Sequence, residues 1–163
     1  MKRHFNLFFF LIFIISVTES IPEGASGLWK IPDLHICVPI YTGTQAEYQD
    51  IVDKDDSALF AQYSIAYIIA DHACSKTSYD TGLWRIDEFN IGTKAYLVKK
   101  DGFYLYECYL LAVADTKNYP WRHSINEKIL TPFSSTDIVN ISCVGQNSKE
   151  NYVAFFKFVN QVL

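Results

Sequence analysis

Beyond its first few positions the chain has no run of lysine or arginine. Setting aside residues 1–20, which hold Lys2, Arg3 and Glu19, moves the formal net charge from −4 to −5. Phosphate binding draws most of its affinity from such cations, so strong non-specific binding of nucleic acid is not expected. No apolar stretch after Val17 approaches the length needed to cross a membrane. The four cysteines form no CxxC pair and no cluster with histidine, which argues against a metal or redox centre, and no cofactor is expected. GxSxG is also missing, and with it the nucleophile turn of the common serine hydrolases. Asp53, Asp55 and Asp56 lack the glycine and the closing glutamate of a calcium loop, so they read as a solvated face.

What is present begins with Lys2, Arg3 and His4, an apolar run from Leu7 to Val17, and small residues before Ile21. That order predicts a secretory signal peptide over residues 1–20 and one secreted domain over 21–163. Cys37, Cys74, Cys108 and Cys143 then read as a disulfide framework, for which three pairings are possible. Asn140-Ile141-Ser142 is a glycosylation sequon if the chain passes through a eukaryotic secretory pathway. Aromatic residues make up 16% of the chain, enough to fill a sizeable core.

The stretch TKAYLVKKDGFYLYECYLL, from Thr93 to Leu111, organises the rest. Asp101-Gly102 between two apolar segments predicts a tight hairpin in which Lys100 pairs with Phe103, Val98 with Leu105 and Leu97 with Tyr106. Alternation places Tyr96, Val98, Phe103, Leu105 and Tyr109 on one face, and Ala95, Leu97, Tyr104, Tyr106 and Cys108 on the other. Neither face is polar, so the hairpin should be central and covered on both sides.

Upstream, residues 21–39 are punctuated by proline and glycine, leaving room for one short strand around Leu34 to Val38. Thr44 and Glu47 have the spacing of a capping box and predict a helix start. YSIAYIIA (63–70) and GLWRIDEF (82–89) read as strands, the former by its aromatic and β-branched residues. Residues 115–137 form a long irregular loop, 138–144 a strand with Cys143, and NYVAFFKFVNQVL (151–163) fits helix or strand equally. One helix followed by consecutive strands predicts an α+β fold with a helix packed on a curved antiparallel sheet.

This order of pieces, with YSIAYIIA, GLWRIDEF and AYLVKKDGFYLYECYL in sequence, resembles the ribonuclease-like effectors that powdery mildew fungi secrete into plant cells. The resemblance covers roughly Cys37 to Leu111, and His35-Ile36-Cys37 departs from the aromatic-x-Cys of that family. It implies that Cys37 pairs with Cys143 and Cys74 with Cys108. Related ribonucleases use histidines, a glutamate and an arginine to move protons and hold the phosphate. Here Arg85, Asp87 and Glu88 supply at most one cation and one carboxylate, and His35, His72 and His123 stand on separate segments. The resemblance therefore implies a non-catalytic virulence protein, able to enter a host cell, that binds a host protein or host RNA. Tyr104, Tyr106, Arg85 and Trp121 are the candidate binding residues. An active secreted ribonuclease and a small-ligand-binding β-barrel are the alternatives.

Overall fold

In ICVPIYT, Ile36, Val38 and Ile40 are buried, whereas Cys37, Pro39 and Tyr41 between them are half-buried. A strand sends successive side chains to opposite faces, so this alternation gives one apolar face and one mixed face. The computed structural model describes residues 20–44, 47, 50–51, 58–63, 66–71, 88–115, 136–143 and 150–162. Among these, eight strands carry the pattern: β1 (Gly27–Ile31), β2 (Ile36–Thr42), β3 (Ala58–Tyr63), β4 (Ala66–Asp71), β5 (Lys94–Lys99), β6 (Gly102–Asp115), β7 (Ile138–Cys143) and β8 (Glu150–Val162). They close into a barrel in the order β1-β2-β3-β4-β7-β8-β6-β5. The seam is β1 on β5, with Leu28 opposite Val98 and Lys30 opposite Tyr96.

Trp29 fills the interior. It is fully buried and meets Tyr106 and Phe156 edge-on, at centroid distances of 5.7 and 5.3 Å. Phe89 enters the same cluster and packs on Phe156 at 5.8 Å. Such edge-to-face contacts let aromatic rings pack densely without stacking their electron-rich faces.

A second apolar cluster lies on the outer face of the barrel, where Ile68, Ala70, Val139, Val153 and Phe155 are buried. A bulge at Tyr109 helps to build it: Cys108 pairs with Phe156, but the next pair is Leu110 with Phe155. The extra residue switches the side of the sheet, so that Cys108 faces inward while Tyr109 and Leu110 both join the outer cluster.

The closed barrel overturns the expected α+β fold, in which one helix covers an open sheet. The capping box does form: the Glu47 carboxylate accepts from the Thr44 backbone N–H and hydroxyl, both at 2.8 Å. Asp50 and Ile51 are helical, while positions 45–46, 48–49 and 52–57 lie outside the described residues. What covers the inner face is the remainder of the sheet. The segment 63–70 resolves into the end of β3 and the start of β4, the tail is the strand β8, and Glu88–Phe89 is not a strand. The expected signal peptide up to residue 19, positions 82–87 and positions 116–135 of the long loop lie outside the described residues. No described helix is long and apolar enough to cross a membrane.

The hairpin keeps its faces and changes its register. Val98 pairs with Phe103 and Leu97 with Tyr104, so the turn residues are Lys100 and Asp101, not Asp101 and Gly102. Tyr104 donates a 2.9 Å hydrogen bond to the Asp101 carboxylate, and Gly102, with φ +149°, already belongs to β6. A partner shift of two preserves side-chain parity, so the face assignment stands.

Two predictions follow from the packing. A Cβ at Gly27 would run into the backbone carbonyl oxygen of Val98 at the seam, so Gly27→Ala should lose about 1–3 kcal/mol in urea unfolding, the usual cost of overpacking. Burial pushes the Cys108 thiol up to about 11 and the Tyr106 and Tyr109 phenols up to about 12. In the unfolded chain these groups lose protons near 9 and 10, so above those values the unfolded state binds fewer protons and stability falls as pH rises. On the alkaline side the urea midpoint should decline from about pH 9 up to about 12, and Cys108→Ala should remove the earliest part of that decline.

Candidate active site at the ends of strands 4, 7 and 8

β4 and β7 are parallel neighbours, paired from Tyr67 with Ile138 to Asp71 with Ser142. β8 runs antiparallel to β7, and their last pair is Cys143 with Asn151. Two strand ends and one strand start therefore meet at the same barrel edge. Ile68 and Ala70, Val139 and Ile141, and Val153 and Phe155 all belong to the outer cluster. Positions 143 and 151 close the β7–β8 ladder at the edge of that cluster. Asp71 ends β4, and the next residue in sequence is His72, which lies outside the described residues.

The inner face behind this edge is polar. Asp71, Asn140 and Ser142 are all buried there, with Asn140 fully so, between Ile69 of β4 and Ala154 of β8. Among the described residues no cluster of three or more histidine, cysteine or acidic side chains could hold a metal ion.

The binding residues expected from the sequence do not gather here. Tyr106 is buried in the barrel interior, and half-buried Tyr104 packs against the same cluster, so neither lies on an open sheet face. Arg85 and Trp121 lie outside the described residues, as do Cys74 and His123. His35 is exposed, in a left-handed conformation with φ 55°, and closes the 3-10 turn Pro32–Leu34. β3 and β4 stand between β2 and β7. Three strand spacings of about 4.8 Å separate the backbones of Cys37 and Cys143, more than the roughly 7 Å that a disulfide spans. Cys108 is a buried free thiol whose Sγ lies 3.7 Å from the Leu110 carbonyl oxygen.

Asn140 is the clearest correction. The sequon is intact, but its asparagine has no exposed surface and sits mid-strand between two neighbouring strands, where a glycan has no room. Protein secreted from eukaryotic cells should keep its mass after peptide N-glycosidase treatment, and Ser142→Ala, which erases the sequon, should leave that mass unchanged apart from the substitution. A glycan found on Asn140 would mean that β7 is not a barrel strand.

Read from the sequence, His72 is one of three histidines on separate segments and Cys143 a bridge partner. The β4–β7 register joins segments about 70 residues apart and leaves no local trace.

No family model and no curated protein matches the chain. Solved structures do. Sortase C-3 from Streptococcus pneumoniae is 15% identical with a TM-score of 0.65, covering 86% of this chain and 65% of that one. A sortase from Actinomyces oris is 15% identical with a TM-score of 0.66, covering 88% and 85%. Sortase E1 from Streptomyces coelicolor, solved with a tripeptide in its active site, is 14% identical with a TM-score of 0.63, covering 87% and 92%. This chain thus spans just under two thirds of the Streptococcus pneumoniae chain. These matches overturn the resemblance to ribonuclease-like fungal effectors, and with it the basis for expecting a non-catalytic virulence protein: the fold is that of the sortases.

Proposed function

We propose that the protein is a sortase-like cysteine transpeptidase in which Cys143 is the nucleophile and His72 the general acid and base. One observation carries this reading. The parallel register ends with Asp71 opposite Ser142, and the residues that follow them in sequence are His72 and Cys143. A thiol nucleophile needs an adjacent base, and neighbouring parallel strand ends are an economical way to bring the two together from distant parts of a chain. The fold shared with sortases, which are cysteine transpeptidases, supports the same assignment.

In this scheme the Cys143 thiolate attacks a peptide carbonyl carbon. A C–S bond forms, the C–N bond breaks, and the departing amine takes a proton from His72. An incoming amine then attacks the thioester, gives its proton to His72 and leaves the thiolate free again. Half-buried Ile141, at the margin of the outer cluster, offers an apolar contact for the acyl part of an extended peptide. Export ahead of this reaction is expected from the apolar run at Leu7 to Val17.

Thiol alkylation followed by mass spectrometry tests the assignment. At neutral pH Cys108, with its thiol pushed up to about 11, stays protonated and inert. Iodoacetamide should modify Cys143 well ahead of it, and His72→Ala should slow that reaction. With a mixed peptide library and hydroxylamine as acceptor, the wild type should release peptide hydroxamates and Cys143→Ala should release none above background. Equal release from both proteins would end the proposal.

A further inference from the structure

The geometry points to a binding site for a small aromatic anion, such as an aromatic carboxylate, at the barrel mouth beside the β5–β6 turn, where the Lys99 ammonium lies over the rings of Phe60 and Tyr104. This site does not depend on the assignment of Cys143. β6 begins at this mouth with Gly102 and ends with Asp115 opposite Glu150 of β8. At about 3.3 Å per residue, Tyr104 and Ala114 stand roughly 30 Å apart along β6. The mouth is therefore at the far end of the barrel from the candidate active site.

Lys99 is the last residue of β5, and Ala95 and Leu97 of the same strand belong to the interior cluster. Alternation therefore puts Lys99 in the inward series. Its Nζ lies 5.3 Å from the centroid of Phe60 and 5.9 Å from that of Tyr104. Half-buried Tyr67 stacks on Phe60 at 5.0 Å, and Phe158 packs against Tyr104 at 6.5 Å and Tyr106 at 5.7 Å. Phe158 nevertheless keeps 38% of its surface exposed. Ring faces attract an ammonium, but they give its three N–H donors no oxygen to bond. Lys94 and Lys157 share Glu107, whereas Lys99 meets no carboxylate among the described residues. Asp101, the acid next in sequence, is engaged by the Tyr104 hydroxyl. An anion carried on a flat apolar ring answers both features, since its charge bonds the ammonium and its ring covers the exposed part of Phe158.

Two fluorescent probes test the site on the native protein: anilinonaphthalene sulfonate and its uncharged relative phenylnaphthylamine. The wild type should bind the sulfonate saturably and lose affinity as salt is raised. Lys99→Met, which keeps an apolar stem over the rings, should weaken the sulfonate about tenfold and leave phenylnaphthylamine within about twofold of wild type. Lys99→Arg should retain the sulfonate, and Phe158→Ala should weaken both probes. Benzoate should displace the sulfonate from the wild type, and benzamidine, its cationic counterpart, should not. No saturable binding of the sulfonate, or an equal effect of Lys99→Met on both probes, would overturn the site. Displacement by benzamidine as effective as that by benzoate would overturn it without any variant.

Discussion

Closure of the sheet through β1 and β5 is the constraint on which everything else depends. An open sheet of eight strands would leave two unpaired edges and one uncovered apolar face. Once closed, it has no edges, but its interior must be filled by its own side chains. Trp29 meets that demand from the strand that makes the seam, with Tyr106 and Phe156 across the barrel and Phe89 entering from outside the ladder. Gly27 shows how tight the closure is, since β1 approaches the Val98 carbonyl too closely to carry a side chain there.

Because closure fixes strand order, it also fixes which distant residues become neighbours. β4 and β7 lie side by side and point the same way, which no hairpin can arrange, and a parallel pair needs a long connection. The outcome is one barrel edge where the end of β4, the end of β7 and the start of β8 converge. Inside that edge lie Asp71, Asn140 and Ser142, and outside it an apolar floor.

How far the sequence could be read follows from the range of each signal. Alternation is local, and it assigned the two faces of the β5–β6 hairpin correctly. The register differs by two because the turn is Lys100-Asp101, not Asp101-Gly102: the Asp101 carboxylate holds Tyr104 from within the turn, and Gly102 has already entered the strand. Period-two patterning says that both faces of a strand are apolar, not whether a helix or the rest of a barrel covers them. That ambiguity produced the ribonuclease-like reading. The site suffered most, because the ends of β4 and β7 become neighbours through a ladder that links segments about 70 residues apart. The Asn140 sequon was legible as letters, but only the barrel reveals that its side chain points into a core.

Phe155 and Phe156 are consecutive in β8, yet one belongs to the outer floor and the other to the barrel interior. The bulge at Tyr109 accommodates this pair from the opposite strand, giving each phenylalanine a partner on its own side. Inserting or deleting a residue in either strand here would exchange the two environments at once. The floor beside Cys143 and the filling around Trp29 are thus tied to a single alignment. Over evolutionary time, changes of length in this stretch should be selected against more strictly than changes of residue type, since residues can be repacked and a lost alignment cannot.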